Sequence, residues 1–190
     1  MKQANAISDL PELQGGHVFR MWSVHDIFRK LYRERQRFEL AGSDNEGRQN
    51  QVDAALNFAI TAWHMTDWVW QRQERELCER FGVSCKREFL DKICEECPEL
   101  KVCDVIANAA KHGGTANKRK DRPEVETVLV AEPVAEGGAG VELYAVDADQ
   151  GWSLRIKVNG RSEDPHALLS GVFGFWHRFI QKHCVAEKSS

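Results

Sequence analysis

No stretch of the chain approaches the ~18 consecutive apolar residues of a membrane-spanning helix. The opening Met1-Lys2-Gln3-Ala4-Asn5 also lacks the apolar segment of a secretion signal. A cytoplasmic protein with no membrane partner is the expectation. Proline is scarce and glycine ordinary, 5 and 14 among 190 residues, which excludes collagen-like and low-complexity chains. Charge of either sign is not in excess: 26 Lys and Arg against 29 Asp and Glu leave a net charge of -3. Any argument for nucleic acid must therefore rest on local patches. No internal repeat is present. The six cysteines come without the small secreted context that makes a disulfide framework, so reduced thiols are expected.

What is present is a composition of 42% hydrophobic and 29% charged residues, that of a single globular domain. A chain of this length hides roughly 70% of its unfolded surface without needing staples. Val18, Met21, Val24, Phe28, Leu31 and Phe38 recur at helical spacing between His17 and Leu40. A second helix is predicted from Arg48 to Arg80. From Ala54 to Trp70, 12 of its 17 residues are apolar, which reads as a helix buried all round. Ser84 is the predicted N-cap of a short helix from Cys85 to Cys94, and Pro98 opens another that reaches His112 before Gly113-Gly114. Thr115 to Arg122 is a polar linker.

Beyond the linker the period becomes two, in Val125 to Val130, Val141 to Val146 and Trp152 to Val158. Asp164-Pro165 then caps and opens a last amphipathic helix. The expected fold is α+β and mainly helical. In one domain spanning 1–190, an antiparallel helical bundle (16–114) is followed by a basic linker (115–122) and a three-strand antiparallel meander (123–160). A C-terminal helix (164–185) completes the bundle. In the third strand Trp152, Leu154, Ile156 and Val158 should face inward, with Arg155 and Lys157 outward.

Two polar constellations could carry chemistry. His64 and Asp67 lie three residues apart on the apolar helix, extended by Asn57 and Thr61. Buried polar groups need partners, so a network with Asp104 of the neighbouring helix is predicted, either fixing helix register or serving metal, proton transfer or ligand. Asp104, Asn108, Lys111 and His112 fall within an arc of about 100° on the later helix, opposite Val102 and Ile106. A solvated face has the same appearance.

The segments Ala62-Trp63-His64-Met65-Thr66-Asp67-Trp68-Val69, Cys97-Pro98-Glu99-Leu100 and Ala107-Asn108-Ala109-Ala110-Lys111-His112 resemble a group of small uncharacterised bacterial proteins. More distantly, Asn108-Ala109-Ala110-Lys111-His112 is similar to the end of the signature of HEPN domains, helical bundles that often act as metal-independent ribonucleases. The resemblance implies RNA binding or cleavage, with no cofactor and no metal. His112 would work on the ribose hydroxyl proton, with Asn108 and Lys111 beside it. The family's arginine position is occupied by Ala107, which removes a group that would stabilise phosphate charge. Lys118, Arg119, Lys120 and Arg122 are the candidate phosphate contacts.

The other features are weaker. The Arg20/His25, Arg161/His166 and Arg178/His183 spacings read as coincidence. Cys94 and Cys97 form a Cys-x-x-Cys pair, and Cys97 precedes Pro98 at a helix start, where the dipole would lower a thiol pKa. The pair lacks both a thioredoxin-like strand context and a second pair for zinc. Arg29, Arg33 and Arg37 recur every four residues on the first helix, threaded with Glu34 and Glu39, and read as a solvated face. Besides an RNA protein, two readings stand: a non-enzymatic structural or partner-binding protein, acting as a homodimer or with another chain, and a metal-binding bundle.

Overall fold

The computed structural model describes residue 21 and residues 23–41, 45–112, 125–131, 152–159 and 161–184. Within them the chain is mainly helical, with a small antiparallel sheet between the fourth and fifth helices.

Helix α1 spans Val24–Leu40. Its start is set by a reciprocal capping box: Ser23 Oγ accepts from the Asp26 N–H at 3.2 Å, and the Asp26 carboxylate accepts from the Ser23 N–H at 3.1 Å. The predicted start at His17 lies outside the described residues. Val24, Ile27, Leu31 and Phe38 form the buried stripe of α1.

Helix α2 spans Asn45–Phe81 and contains one non-helical residue, Gln73 (φ -139°, ψ 25°), where its axis kinks. Ala54, Phe58, Ala62, Met65 and Val69 are buried, while Leu56, Asn57 and His64 are exposed. Placed at 100° per residue, the buried positions cover about half of the helix circumference. The expectation of burial all round is thus corrected. Twelve apolar residues in a 17-residue window are enough for one broad inward face, with Trp63 and Trp68 left half-buried at its margins. Gly82, at φ +62°, ends α2 in the left-handed region that glycine enters without a steric penalty.

Helix α3 spans Lys86–Glu96. Its N-cap is Cys85, with no side-chain bond, rather than Ser84. Ser84 instead donates both its N–H (2.7 Å) and its Oγ (3.0 Å) to the Glu88 carboxylate. Those bonds hold Glu88 below the ordinary carboxylate pKa, the backbone donor contributing most. Helix α4 spans Glu99–His112 and packs on α2, and α5 spans Pro165–His183. Asp164 caps α5 as the sequence predicts, accepting from the N–H groups of His166 (3.2 Å) and Ala167 (3.3 Å), with Pro165 as the first helical residue.

Strand β1 (Val125–Ala131) pairs antiparallel with β2 (Trp152–Val158), from Val125 opposite Val158 to Ala131 opposite Trp152. Asn159, at φ 52°, turns the chain into the short β3 (Arg161–Glu163), which pairs with the other edge of β2. This departs from the expected meander, in which Val141 to Val146 would separate the outer strands. Each residue of β1 faces a residue of β2, so the ladder between them is already complete. The predicted strand itself lies outside the described residues. Leu154 and Ile156 are buried and Val158 packs at the core margin, as the alternation requires. The core joins all five helices to β2, and no helix among the described residues is long and apolar enough to cross a membrane.

Candidate functional site

No hydrogen bond or ion pair of Asp67 or Asn108 among the described residues joins the two predicted polar constellations. α2 and α4 are packed together, yet His64 is exposed, and Asp67 forms an ion pair with Lys86 at the start of α3. Asp67 and Lys86 are each more than a third exposed, so this pair tethers α3 at the surface and stabilises weakly. Thr61 is buried and accepts from Lys30 of α1, while Thr66 donates back to the carbonyl of Trp63 at 2.8 Å. Thr61 and Asp67 are therefore engaged by two different neighbours, α1 and α3, and Thr66 by its own helix, rather than by one shared network.

On α4, Asp104 is buried at 7% exposure and holds Asn108. The Asn108 amide donates to the Asp104 side chain at 2.6 Å and to its carbonyl at 2.8 Å. The amide nitrogen of Asn108 is thus engaged by its own helix. Lys111 is exposed one turn further on, and His112 is the last residue of α4. The His112 side chain and the basic residues Lys118, Arg119, Lys120 and Arg122 lie outside the described residues.

The cysteine pair is buried. Cys94, Cys97 and Cys103 are buried, and burial pushes the Cys94 thiol to about 11 and the Cys97 thiol to about 12. Cys103, enclosed completely, is also raised. The expectation of a dipole-lowered Cys97 is corrected because desolvation outweighs the dipole, and its Sγ donates to the Glu99 carboxylate at 3.3 Å, favouring the neutral thiol. Among the described residues no group of three His, Cys, Asp or Glu side chains converges on a metal position.

Two features on α1 were hidden in the sequence. First, Glu34 is buried at 4% exposure, contrary to its reading as part of a solvated face. Its carboxylate accepts from Arg37 Nη1 at 3.0 and 3.1 Å and pairs with Lys30 Nζ at 3.4 Å. Its position midway between Leu31 and Phe38, three and four residues away, already placed it on the buried stripe. Beside it a cleft of about 630 Å³ opens between α1 and α2, lined by Arg33, Arg37, Asn50, Asp53 and Asn57 among others.

Second, an aromatic cluster lies on the opposite flank of α1, against α5. Phe28 stacks on Phe173 (centroids 5.1 Å, planes 20°) and on His177 (5.9 Å, 12°). Tyr32, 47% exposed, leans on Phe173 at 6.0 Å, and the Arg35 guanidinium sits 4.9 Å from the centre of that ring. Phe28 and Phe173 are half-buried and His177 is exposed, so the cluster reaches solvent. The signal was the spacing Phe28/Tyr32 and Phe173/His177, each one helical turn.

No family model, curated protein or solved structure matches the chain. The functional reading therefore rests on its own residues.

Proposed function

We propose that this protein binds single-stranded RNA across the α1/α5 face, without a requirement for cleavage. The observation that carries the reading is the solvent-reaching cluster of Phe28, Tyr32, Phe173 and His177 with cations at its border. Aromatic faces stack on unpaired bases, and flanking arginines meet the phosphates. Arg35 lies over Phe173 while its Nε pairs with Glu39 at 2.7 Å, Arg29 is 72% exposed and pairs with Asp26 at 3.0 Å, and Arg178, one residue beyond His177, has no acidic partner among the described residues. The net charge of -3 does not oppose this, because the cations are local.

On this reading Lys111 and the basic stretch Lys118 to Arg122 add phosphate contacts, and His112 is the residue on which cleavage would depend. Binding is favoured over cleavage because Ala107 replaces the arginine of the HEPN-like pattern and Asn108 is held by Asp104. The test is fluorescence anisotropy with a labelled single-stranded oligoribonucleotide at low and moderate salt. Binding that weakens with salt, and about tenfold further in a Phe173→Ala/His177→Ala variant, supports the reading. A chelator-treated cleavage assay beside His112→Ala reports separately on catalysis. Absence of wild-type binding at low salt overturns the proposal in favour of a non-enzymatic partner-binding protein.

A further inference from the structure

The cleft between α1 and α2 has walls of different chemistry. On the α1 wall, Arg33 is exposed and makes no hydrogen bond or ion pair among the described residues. Arg37, one turn later, is 65% exposed, and its guanidinium is oriented by Glu34, both oxygens of which accept from Nη1. Glu34 does not itself offer a free anion, since Arg37 and Lys30 occupy its carboxylate. A buried carboxylate with two cations thus presents one guanidinium beside a second, unpaired one, an arrangement that suits a phosphate group.

The α2 wall is polar and carries one carboxylate, that of Asp53. Asn50, Asp53 and Asn57 stand three and four residues apart on one face of the helix. Asn50 and Asn57 are exposed and make no side-chain hydrogen bond among the described residues, so each offers a donor and an acceptor; Asp53 accepts from Gln49 at 3.2 Å and retains acceptor capacity. Such a wall recognises hydroxyl groups, which both donate and accept. A volume of about 630 Å³ falls within the range of small-ligand sites, ~300–1,000 Å³.

We propose that the α1/α2 cleft binds a phosphorylated sugar, with the phosphate on Arg33 and Arg37 and the sugar hydroxyls on Asn50, Asp53 and Asn57. Ribose phosphate is the shared chemistry of two sources, a free sugar phosphate and the 5′ end of an RNA strand. The site lies on the flank of α1 opposite Phe28 and Tyr32, so it stands or falls separately from the RNA face.

Isothermal titration of the full chain with ribose 5-phosphate, inorganic phosphate and ribose tests it. Ribose 5-phosphate should bind at least about tenfold more tightly than either half alone, corresponding to contacts on both walls. Arg33→Ala should abolish binding, and Asn50→Ala/Asn57→Ala should weaken it about tenfold with the melting temperature unchanged. The Phe173→Ala/His177→Ala variant should bind ribose 5-phosphate as the wild type does. Lack of saturation by about 10 mM, inorganic phosphate binding as tightly as the sugar phosphate, or unchanged affinity in the asparagine variant each overturns the proposal. Once binding is seen, a preference for 5′-phosphorylated over 5′-hydroxyl oligoribonucleotide, lost in the asparagine variant, supports the RNA end as source. Equal affinity for the two oligonucleotides supports the free sugar phosphate.

Discussion

The indole N–H of Trp176 donates to the main-chain carbonyl of Ala62 at 3.1 Å, joining the middle of α5 to the middle of α2 through the core. Both residues are fully buried. Trp176→Phe should therefore destabilise the fold through lost ring volume and a lost buried bond, by about 1–4 kcal/mol. Urea unfolding monitored by circular dichroism will show it as a lower midpoint at constant slope.

Glu34 makes a sharper test, because two replacements should diverge. Glu34→Ala leaves a void and removes the partner of Lys30 and Arg37, costing about 1–3 kcal/mol; these cations are 31% and 65% exposed, so solvent screens part of the loss. Glu34→Leu fills the same stripe with apolar volume and should be within about 1 kcal/mol of the wild type. A Leu variant as damaged as the Ala variant would mean that the ion pairs, rather than packing, hold this position.

The thiols predict both a reactivity order and a pH dependence. In the native protein at pH 8, Cys85, the exposed cysteine, should react first with a disulfide reagent, and Cys94, Cys97 and Cys103 only on unfolding. Cys94, Cys97 and Cys184 are raised from 9.0 to about 11, 12 and 11, so the folded chain keeps protons that the unfolded chain releases. Their contribution is complete below the unfolded value of 9.0 and is lost progressively as pH rises toward about 11 to 12. Thermal melts between neutral pH and pH 10 should show this fall, and Cys97→Ala should reduce it.

His183 is held below the ordinary imidazole pKa, first by burial and then by the nearby charges of Arg80 and Lys182. Arg80 also donates to its ring nitrogen at 2.8 Å, which requires that nitrogen to be unprotonated. Arg80→Ala should move the His183 titration, followed by proton NMR, upward but not fully to the free value, since burial remains. Because the folded value is lowered, protonation as pH falls through the unfolded value toward the folded one should cost stability, and less so in the variant.

Helical spacing and caps were legible in the sequence wherever one residue type decided the outcome. Asp164-Pro165 starts α5 and Leu154/Ile156 alternate into the core as read. Where two effects competed, composition misled. The count of apolar residues around His64 concealed their angular distribution, so an exposed histidine was read as buried. For Cys97, the helix dipole and burial push in opposite directions, and only the fold shows that burial dominates. Glu34 sits on the apolar stripe, but its charge suggested solvent until Lys30, Arg37 and the neighbouring α2 were seen around it. The Gln73 kink has no proline or glycine to announce it.

That kink settles a question of scale. As an unbroken rod, the 37 residues of α2 would extend about 55 Å. A compact body of the 127 described residues would be only about 36 Å across. A straight α2 would carry its final turns past the edge of the protein and leave Leu77 and Phe81 in water. With its axis redirected at Gln73, Phe81 instead rests on Phe89 and Phe179, and the Cys184 thiol donates to the Gln73 side chain at 3.2 Å. The longest helix thereby fits the width of the molecule that it spans.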